Sequence, residues 1–177
     1  MVQIVTDSST LFTVEEAREM GVDLTPLCVS IGDLEGRDIQ IDMEEFYKRI
    51  SMGQVPTSSQ PPIGEVVEMY ERYPDAEIIN IAIADGLSGT YQSACSAKEM
   101  VKHIDNITVF NTKTLCGPQR YMVLKAQQMK EEGKTAQEIM EWLEASIQKT
   151  ESFLIPQDFG YLARGGRLSK SGATLLG

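Results

Sequence analysis

The chain is poor in the side chains that most often ligate metals or carry out nucleophilic chemistry. It has one histidine, His103, and three cysteines, Cys28, Cys95 and Cys116. The cysteines are odd in number, far apart and without C-x-x-C spacing, so they mark neither a zinc site nor a disulfide framework. Reduced, buried and inert thiols are expected. Basic residues are also short, with 16 lysines and arginines against 26 acidic residues and a formal net charge of -10. Such a chain repels phosphate backbones and anionic membrane surfaces, which excludes nucleic acid as an expected partner. No apolar run approaches the roughly 20 residues of a membrane span, and Met1 to Asp7 lacks a basic signal-peptide start, so no stable membrane insertion is expected and a cytoplasmic, bacterial-type protein fits. Neither a Walker motif nor G-x-G-x-x-G occurs, and no cofactor or metal is expected.

What is present is an ordinary globular composition, 42% hydrophobic and 24% charged. A chain of 177 residues buries roughly two thirds of its unfolded surface, enough for one good core. Gln3-Ile4-Val5 and the run Leu24 to Ile31 read as strands. The segment Ala76 to Ala84 is almost continuously apolar, as a central parallel strand covered on both faces must be, and Ile107 to Phe110 reads as its neighbour. Thr13 with Glu16, Asp42 with Glu45, and Thr135 with Glu138 show capping-box spacing and mark three helix starts. Val66, Val67, Met69 and Tyr70 form one core stripe, and Ile139, Trp142, Leu143 and Ile147 another. The alternation predicts an α/β fold, a doubly wound and mainly parallel sheet of about four strands with helices on both faces. Near Lys149 the charge rises and a fresh strand over Ser152 to Ile155 is expected, followed by a helix and the Arg164-Gly165-Gly166-Arg167 turn. This divides the chain into a domain over 1–150 and the start of a truncated second α/β domain over 151–177. Removing the rest of that domain exposes apolar surface around Leu154, Leu168 and Leu175, so self-association or marginal stability is expected.

Three segments are rich in hydroxyls: Thr6-Asp7-Ser8-Ser9, Thr57-Ser58-Ser59-Gln60-Pro61 and Ser88-Gly89-Thr90-Tyr91-Gln92-Ser93. In a doubly wound sheet, turns at strand ends converge on one edge, where first-turn N–H groups and neutral hydroxyls can cradle a carboxylate or phosphate. Any one of these turns is equally an ordinary helix cap. Gly89 lets a backbone approach a ligand closely, and Pro61-Pro62 pre-sets a helix start. Gly86-Leu87-Ser88-Gly89-Thr90 also approaches the G-x-S-x-G nucleophile elbow, so a hydrolase or phosphotransfer enzyme using Ser88 is an alternative. That motif lacks its last glycine, and His103, read as a solvated surface histidine, falls about 20 Å away along the helix that Ser88 would start. Asp38, Asp42, Glu44 and Glu45 read as the solvated, capping end of a helix and not as metal ligands. A protein-interaction module, with the hydroxyls as plain caps, is a third reading.

The three hydroxyl segments, followed by Gly165-Gly166-Arg167-Leu168-Ser169 and accompanied by Pro26-Leu27, Arg37-Asp38 and Glu44-Glu45-Phe46-Tyr47, closely resemble the DegV family of bacterial fatty-acid-binding proteins. The likeness runs across essentially the whole chain in the right order. It implies a two-domain protein of the EDD fold, itself no enzyme, that serves phospholipid metabolism. Such a protein buries the acyl chain of a long-chain fatty acid and presents the carboxylate to a fatty acid kinase, which makes an acyl-phosphate from ATP. The family's carboxylate-binding hydroxyls fall on Ser58, where its usual Thr-Ser-Gln-Pro reads Ser58-Ser59-Gln60-Pro61, and on Ser88. Thr6, Asp7, Ser8, Ser59, Gly89 and Thr90 complete the expected ligand-binding set. The family's Asp-Ser-Lys stretch appears as Asn111-Thr112-Lys113. Most of the family's second domain follows the Gly-Gly-Arg segment, including a histidine near the ligand head group, and this chain stops before that region.

Overall fold

A computed structural model describes residues 1–153, 155 and 159–167. In chain order the strands are β1 (Val2–Asp7), β2 (Asp23–Thr25), β3 (Cys28–Ile31), β4 (Leu34–Arg37), β5 (Thr57–Ser59), β6 (Glu77–Ala82) and β7 (Ile107–Asn111). The helices are α1 (Val14–Met20), α2 (Met43–Ser51), α3 (Ile63–Glu71), α4 (Thr90–Lys98), α5 (Cys116–Glu131), α6 (Ala136–Ile147) and α7 (Phe159–Arg164). The main sheet is parallel, with spatial order β2-β1-β6-β7 and register such as Ile4 opposite Ile79 and Ile81 opposite Phe110. The chain first steps outward from β1 to β2 and then returns past β1 to β6, which places the topological switch between β1 and β6. In open α/β sheets, ligands sit beyond the strand ends at this point.

The core explains why these runs pair in parallel. Every residue of β1 is buried, and alternate side chains enter two separate clusters. Val2 and Ile4 join Ile79, Ile81, Phe110 and the inner faces of α1, α5 and α6. Val5 joins Ile78 and Ile107 beneath Val66, Met69 and Tyr70 of α3 and Ala97 of α4. Helices therefore cover both faces, as a doubly wound sheet requires, and Ile139 and Leu143 are fully buried on the predicted stripe of α6 while Trp142 and Ile147 pack at its margin. Asn80 is the buried polar exception on β6. Its Nδ2 donates to the Tyr70 hydroxyl at 2.7 Å, so both groups are paired inside the second cluster. Burial pushes the Tyr70 phenol far above its ordinary value.

Several expectations are corrected. Leu24 to Ile31 is not one strand, because Pro26 has no N–H for a ladder. The chain leaves the parallel sheet at Thr25 and re-enters as β3 of a second, antiparallel sheet ordered β4-β3-β5. β3 and β4 join through Gly32 and Asp33, with Gly32 at φ 62, a conformation that glycine supplies without strain. Thr13–Glu16 and Thr135–Glu138 form complete capping boxes. At Asp42 only half of the box forms, since Glu45 turns away to bond Lys48 and Arg49. Ser152, Phe153 and Ile155 lie outside any strand, although the expected helix follows as α7 with its Gly165-Gly166 turn. Leu154, Leu168, Ser169 and Leu175 lie outside the described residues.

The energetics are those of a close-packed core, where a deleted side chain leaves a cavity. Leu143→Ala is expected to lower stability by about 2–5 kcal/mol in urea denaturation. Leu124→Ala, on the exposed side of α5, should change stability by less than about 0.5 kcal/mol.

Candidate functional site

The C-terminal edge of the parallel sheet is organised by a carboxyl group. Asp7, the last residue of β1, is almost completely buried. Its Oδ2 accepts from the backbone N–H of Ile83 at 2.8 Å, just after β6 ends, and from Gln119 Nε2 at 3.1 Å. Its Oδ1 accepts from Ser9 N at 3.0 Å and also contacts the Ser9 hydroxyl. Burial drives the Asp7 carboxyl above the ordinary aspartate value, and these hydrogen bonds oppose the rise without cancelling it. Gln119, in the second turn of α5, has no exposed surface. Its amide also reaches Thr6 Oγ1 and the Ile81 carbonyl, both at 3.3 Å, while its Oε1 faces the Ser9 hydroxyl at 2.7 Å. The Thr6 hydroxyl donates to the Ile81 carbonyl at 2.7 Å. Strands β1 and β6 and helix α5 are thereby tied at one point.

Thr6 and Asp7 stand in an expected hydroxyl segment, whereas Gln119 lies outside all three. The signal was available: Gln119, Met122, Val123 and Ala126 fall on one helical stripe, and a glutamine on an otherwise apolar stripe needs buried partners.

The other hydroxyls form an outer layer. Ser8 Oγ donates to Asp38 Oδ2 at 2.7 Å and accepts from Leu27 N at 2.9 Å, holding the crossing to the second sheet against the end of β1. Asp38 is therefore no solvated cap. It is half-buried, and its Oδ1 is buried without a hydrogen-bond partner among the described residues. Burial raises its carboxyl above the ordinary value, and the Ser8 bond opposes this. Ser88 Oγ lies 2.8 Å from Thr90 Oγ1 and accepts from Thr90 N at 3.3 Å, so Ser88 steadies the start of α4. Ser88 is half-buried, Thr90 buried and Gly89 exposed.

The third hydroxyl segment is not a turn. Thr57, Ser58 and Ser59 form β5, paired antiparallel with β3 so that Ser59 faces Cys28 and Thr57 faces Ser30. Alternation along the strand puts Thr57 and Ser59 on one face and Ser58 on the other, and all three are exposed. The β5–α3 connection then reaches the end of β6. Gln60 lies over Gly89, where a Cβ would come within 3.1 Å of Gln60 Oε1, so a side chain there would have to push the Gln60 amide aside by a few tenths of an ångström. A cleft of about 610 Å³ opens there, walled by Ser59, Pro61 and Ile63 on one side and by Gly89, Gln92 and Ser96 on the other. Pro62 stands at the N-terminal cap of α3, as expected. The structure thus brings Ser59 and Gly89 onto one cleft. Ser58 lies beside Ser59 in a neighbouring cavity that Arg37 also lines. Ser88 and Thr90 sit behind Gly89, and Thr6, Asp7 and Ser8 form the layer beneath the strand ends.

The loop after β7 adds backbone constraint. Lys113 and Cys116 have φ of 54 and 49, and Leu11, after β1, has φ 61. All three lie on the same edge of the sheet, and non-glycine residues held in this region cluster at functional sites. Lys113 Nζ bonds both oxygens of Asp85, at 3.0 and 3.1 Å, and Asn111 accepts from Lys113 N. The buried Thr112 hydroxyl donates to the Ala82 carbonyl at 2.9 Å.

His103 lies beyond the end of α4, which stops at Lys98. It is half-buried, and Nε2, facing the Tyr70 carbonyl at 3.0 Å, carries the proton and donates there. The expected solvated histidine is thus a structural tie between the far ends of α3 and α4. The three cysteines are free thiols and each is partly exposed, not buried as expected. Cys28 accepts a hydrogen bond from Arg37 at 2.7 Å, and burial pushes the Cys116 thiol up. Among the described residues no group of three or more His, Cys, Asp or Glu is placed to hold a metal ion, and no helix is long and apolar enough to cross a membrane.

A family model described as an uncharacterised protein of the DegV family matches residues 1–177. Protein DegV of Bacillus subtilis is 33% identical over 177 residues, covering 97% of this chain and 63% of that protein. Its crystal structure, described as a fatty acid binding protein, superposes with a TM-score of 0.84 at 32% identity over 98% of this chain and 63% of that one. A DegV family protein from Eubacterium eligens, loaded with heptadecanoic acid, gives a TM-score of 0.83 at 29% identity over 98% of this chain and 63% of that one. The chain therefore spans less than two thirds of the length of these relatives.

Gln119→Leu keeps the volume of the α5 side chain near its native value but leaves Ser9 and Asp7 each short of a partner. A loss of about 1–3 kcal/mol is expected in urea denaturation, whereas a change below about 0.5 kcal/mol would show that the amide ties nothing down.

Proposed function

The chain belongs to the DegV family, and on that premise we propose that it binds a long-chain fatty acid without acting as an enzyme. The carboxylate is held by Ser59, Ser88 and the backbone at Gly89, with Ser58 lining the neighbouring cavity and buried Thr90 supporting Ser88, over the layer of Thr6, Asp7 and Ser8. The observation that carries this reading is the approach of Gln60 over Gly89, which sets the hydroxyl of β5 and the first turn of α4 on one open cleft. An acidic chain cannot attract a carboxylate by its overall field, so local neutral donors and two helix N-termini must do so. The cleft's size falls within the range of small-molecule sites, and its proline and isoleucine walls suit the first carbons of an acyl chain.

In this proposal residues 1–150 form the head-group domain, and residues 151–177 begin a second domain that encloses the acyl chain. The protein works in the cytoplasm and presents the carboxylate to a fatty acid kinase. Hydrolysis or phosphotransfer at Ser88 has less support, because the hydroxyl neighbour of Ser88 is Thr90 and the histidine is committed to Tyr70.

Protein expressed at the full length of its relatives should carry a long-chain fatty acid through purification, released by denaturing extraction and identified by mass spectrometry. Ser59→Ala and Ser88→Ala should each weaken fatty-acid affinity about tenfold to a hundredfold, since each removes a hydrogen bond to a charged group. Unchanged affinity in both variants would sink the assignment of these hydroxyls.

A further inference from the structure

The network under the site is one proton short. The Ser9 hydroxyl has a single hydrogen, yet it faces two acceptors, Asp7 Oδ1 and Gln119 Oε1, the latter at 2.7 Å. If Asp7 is ionised and takes that hydrogen, the Oε1 of the fully buried Gln119 side chain is left 2.7 Å from an oxygen lone pair with no proton between them. If Gln119 takes it, the Ser9 oxygen is left against a carboxylate oxygen. Exchanging the two ends of the Gln119 amide does not help. Oε1 would then face Asp7 Oδ2 and the Ile81 carbonyl, which now face Nε2 at 3.1 and 3.3 Å. The Thr6 hydrogen is already given to Ile81 at 2.7 Å and cannot fill the gap.

We infer that Asp7 is held as a neutral carboxylic acid, donating from Oδ1 to Ser9 Oγ, which in turn donates to Gln119 Oε1. Every contact then has one donor and one acceptor, and Ser9 N and Ile83 N still find lone pairs on the acid. Burial of the group favours the same form. The titratable groups around it do not supply a countercharge. Cys116 packs from the first turn of α5, Asp38 stands behind the Ser8 hydroxyl, and Asp85 and Lys113, on the β6 and β7 sides, bond each other.

The consequence rests on the fatty-acid reading: the proton removes a negative charge from beneath a site that must accept a carboxylate. Asp7 is then a positioning residue that fixes the strand ends and keeps the site's floor neutral, with Gln119 setting which oxygen carries the proton.

The proton can be read without any ligand. In ligand-free, full-length protein, carbon NMR of the aspartate carboxyl groups, assigned through the backbone, should show Asp7 at the protonated position at neutral pH. Asp33 and Asp85, whose hydrogen-bond partners hold them below the ordinary aspartate value, should be ionised under the same conditions. Asp7 titrating with them in the ordinary carboxylate range would overturn the inference. A second readout is the folding equilibrium constant against pH. The folded state keeps a proton that the unfolded chain loses above the ordinary aspartate value. The wild type should therefore lose stability relative to Asp7→Asn tenfold per pH unit as pH rises from that value, until the folded carboxyl itself ionises. A flat difference would overturn the inference as well. If Asp7→Asn does not fold, the wild-type spectrum alone decides. Neither readout uses a fatty acid, so a failure to find a bound lipid would count against the proposed function and leave this inference standing.

Discussion

The bond from the Ile83 N–H to Asp7 Oδ2 is the contact on which the rest of the edge depends. β6 ends at Ala82, and the next backbone donor would be stranded inside the protein without an acceptor. Asp7 supplies that acceptor from the neighbouring strand. In doing so it fixes where the chain turns after β6, and hence where Gly89 and the first turn of α4 stand. Ala84 N is satisfied in turn by the Thr114 carbonyl, so the loop after β7 is tied to the same place. Gln119 closes the arrangement from α5. A buried carboxyl is a costly group to use for this, and its hydrogen bonds are what make it tolerable.

The second sheet is the device that brings the outer hydroxyls to this edge. It is inserted between β2 and β6, begins where Pro26 ends the parallel pairing, and is held to β1 by the Ser8 hydroxyl bonding both Leu27 and Asp38. From it β5 runs straight into α3, so Ser59 and Gln60 arrive opposite Gly89. Two neutral layers result: an inner one of buried Thr6, Asp7 and Gln119 with half-buried Ser9, and an outer one of exposed Ser58, Ser59 and Gly89 with half-buried Ser88. For an acidic chain this is a coherent way to build an anion site, because the donors are local and carry no net charge.

Much of this was legible beforehand. β6 and the stripe of α6 were readable because a strand or helix covered on its core side leaves an unbroken apolar pattern, and the two complete capping boxes were readable because their chemistry is local. The second sheet was hidden for the opposite reason. Its strands are three or four residues long, and Thr57-Ser58-Ser59 is as polar as a turn, so only pairing with β3 makes it a strand. His103 was misplaced because α4 stops five residues before it. Gln119 was overlooked because a single polar residue on a core stripe reads as noise until its partners, more than a hundred positions away, are in view.

A carboxylate ligand seated on the hydroxyl edge at the β1–β6 switch point should be visible in the backbone amide NMR signals as a long-chain fatty acid is titrated into the full-length protein. Within residues 1–150 the largest shifts should fall on Ser58, Ser59, Gln60 and Ser88 to Thr90. Saturable shifts confined to the opposite, N-terminal edge of the sheet, or absent from these residues, would contradict this placement of the ligand.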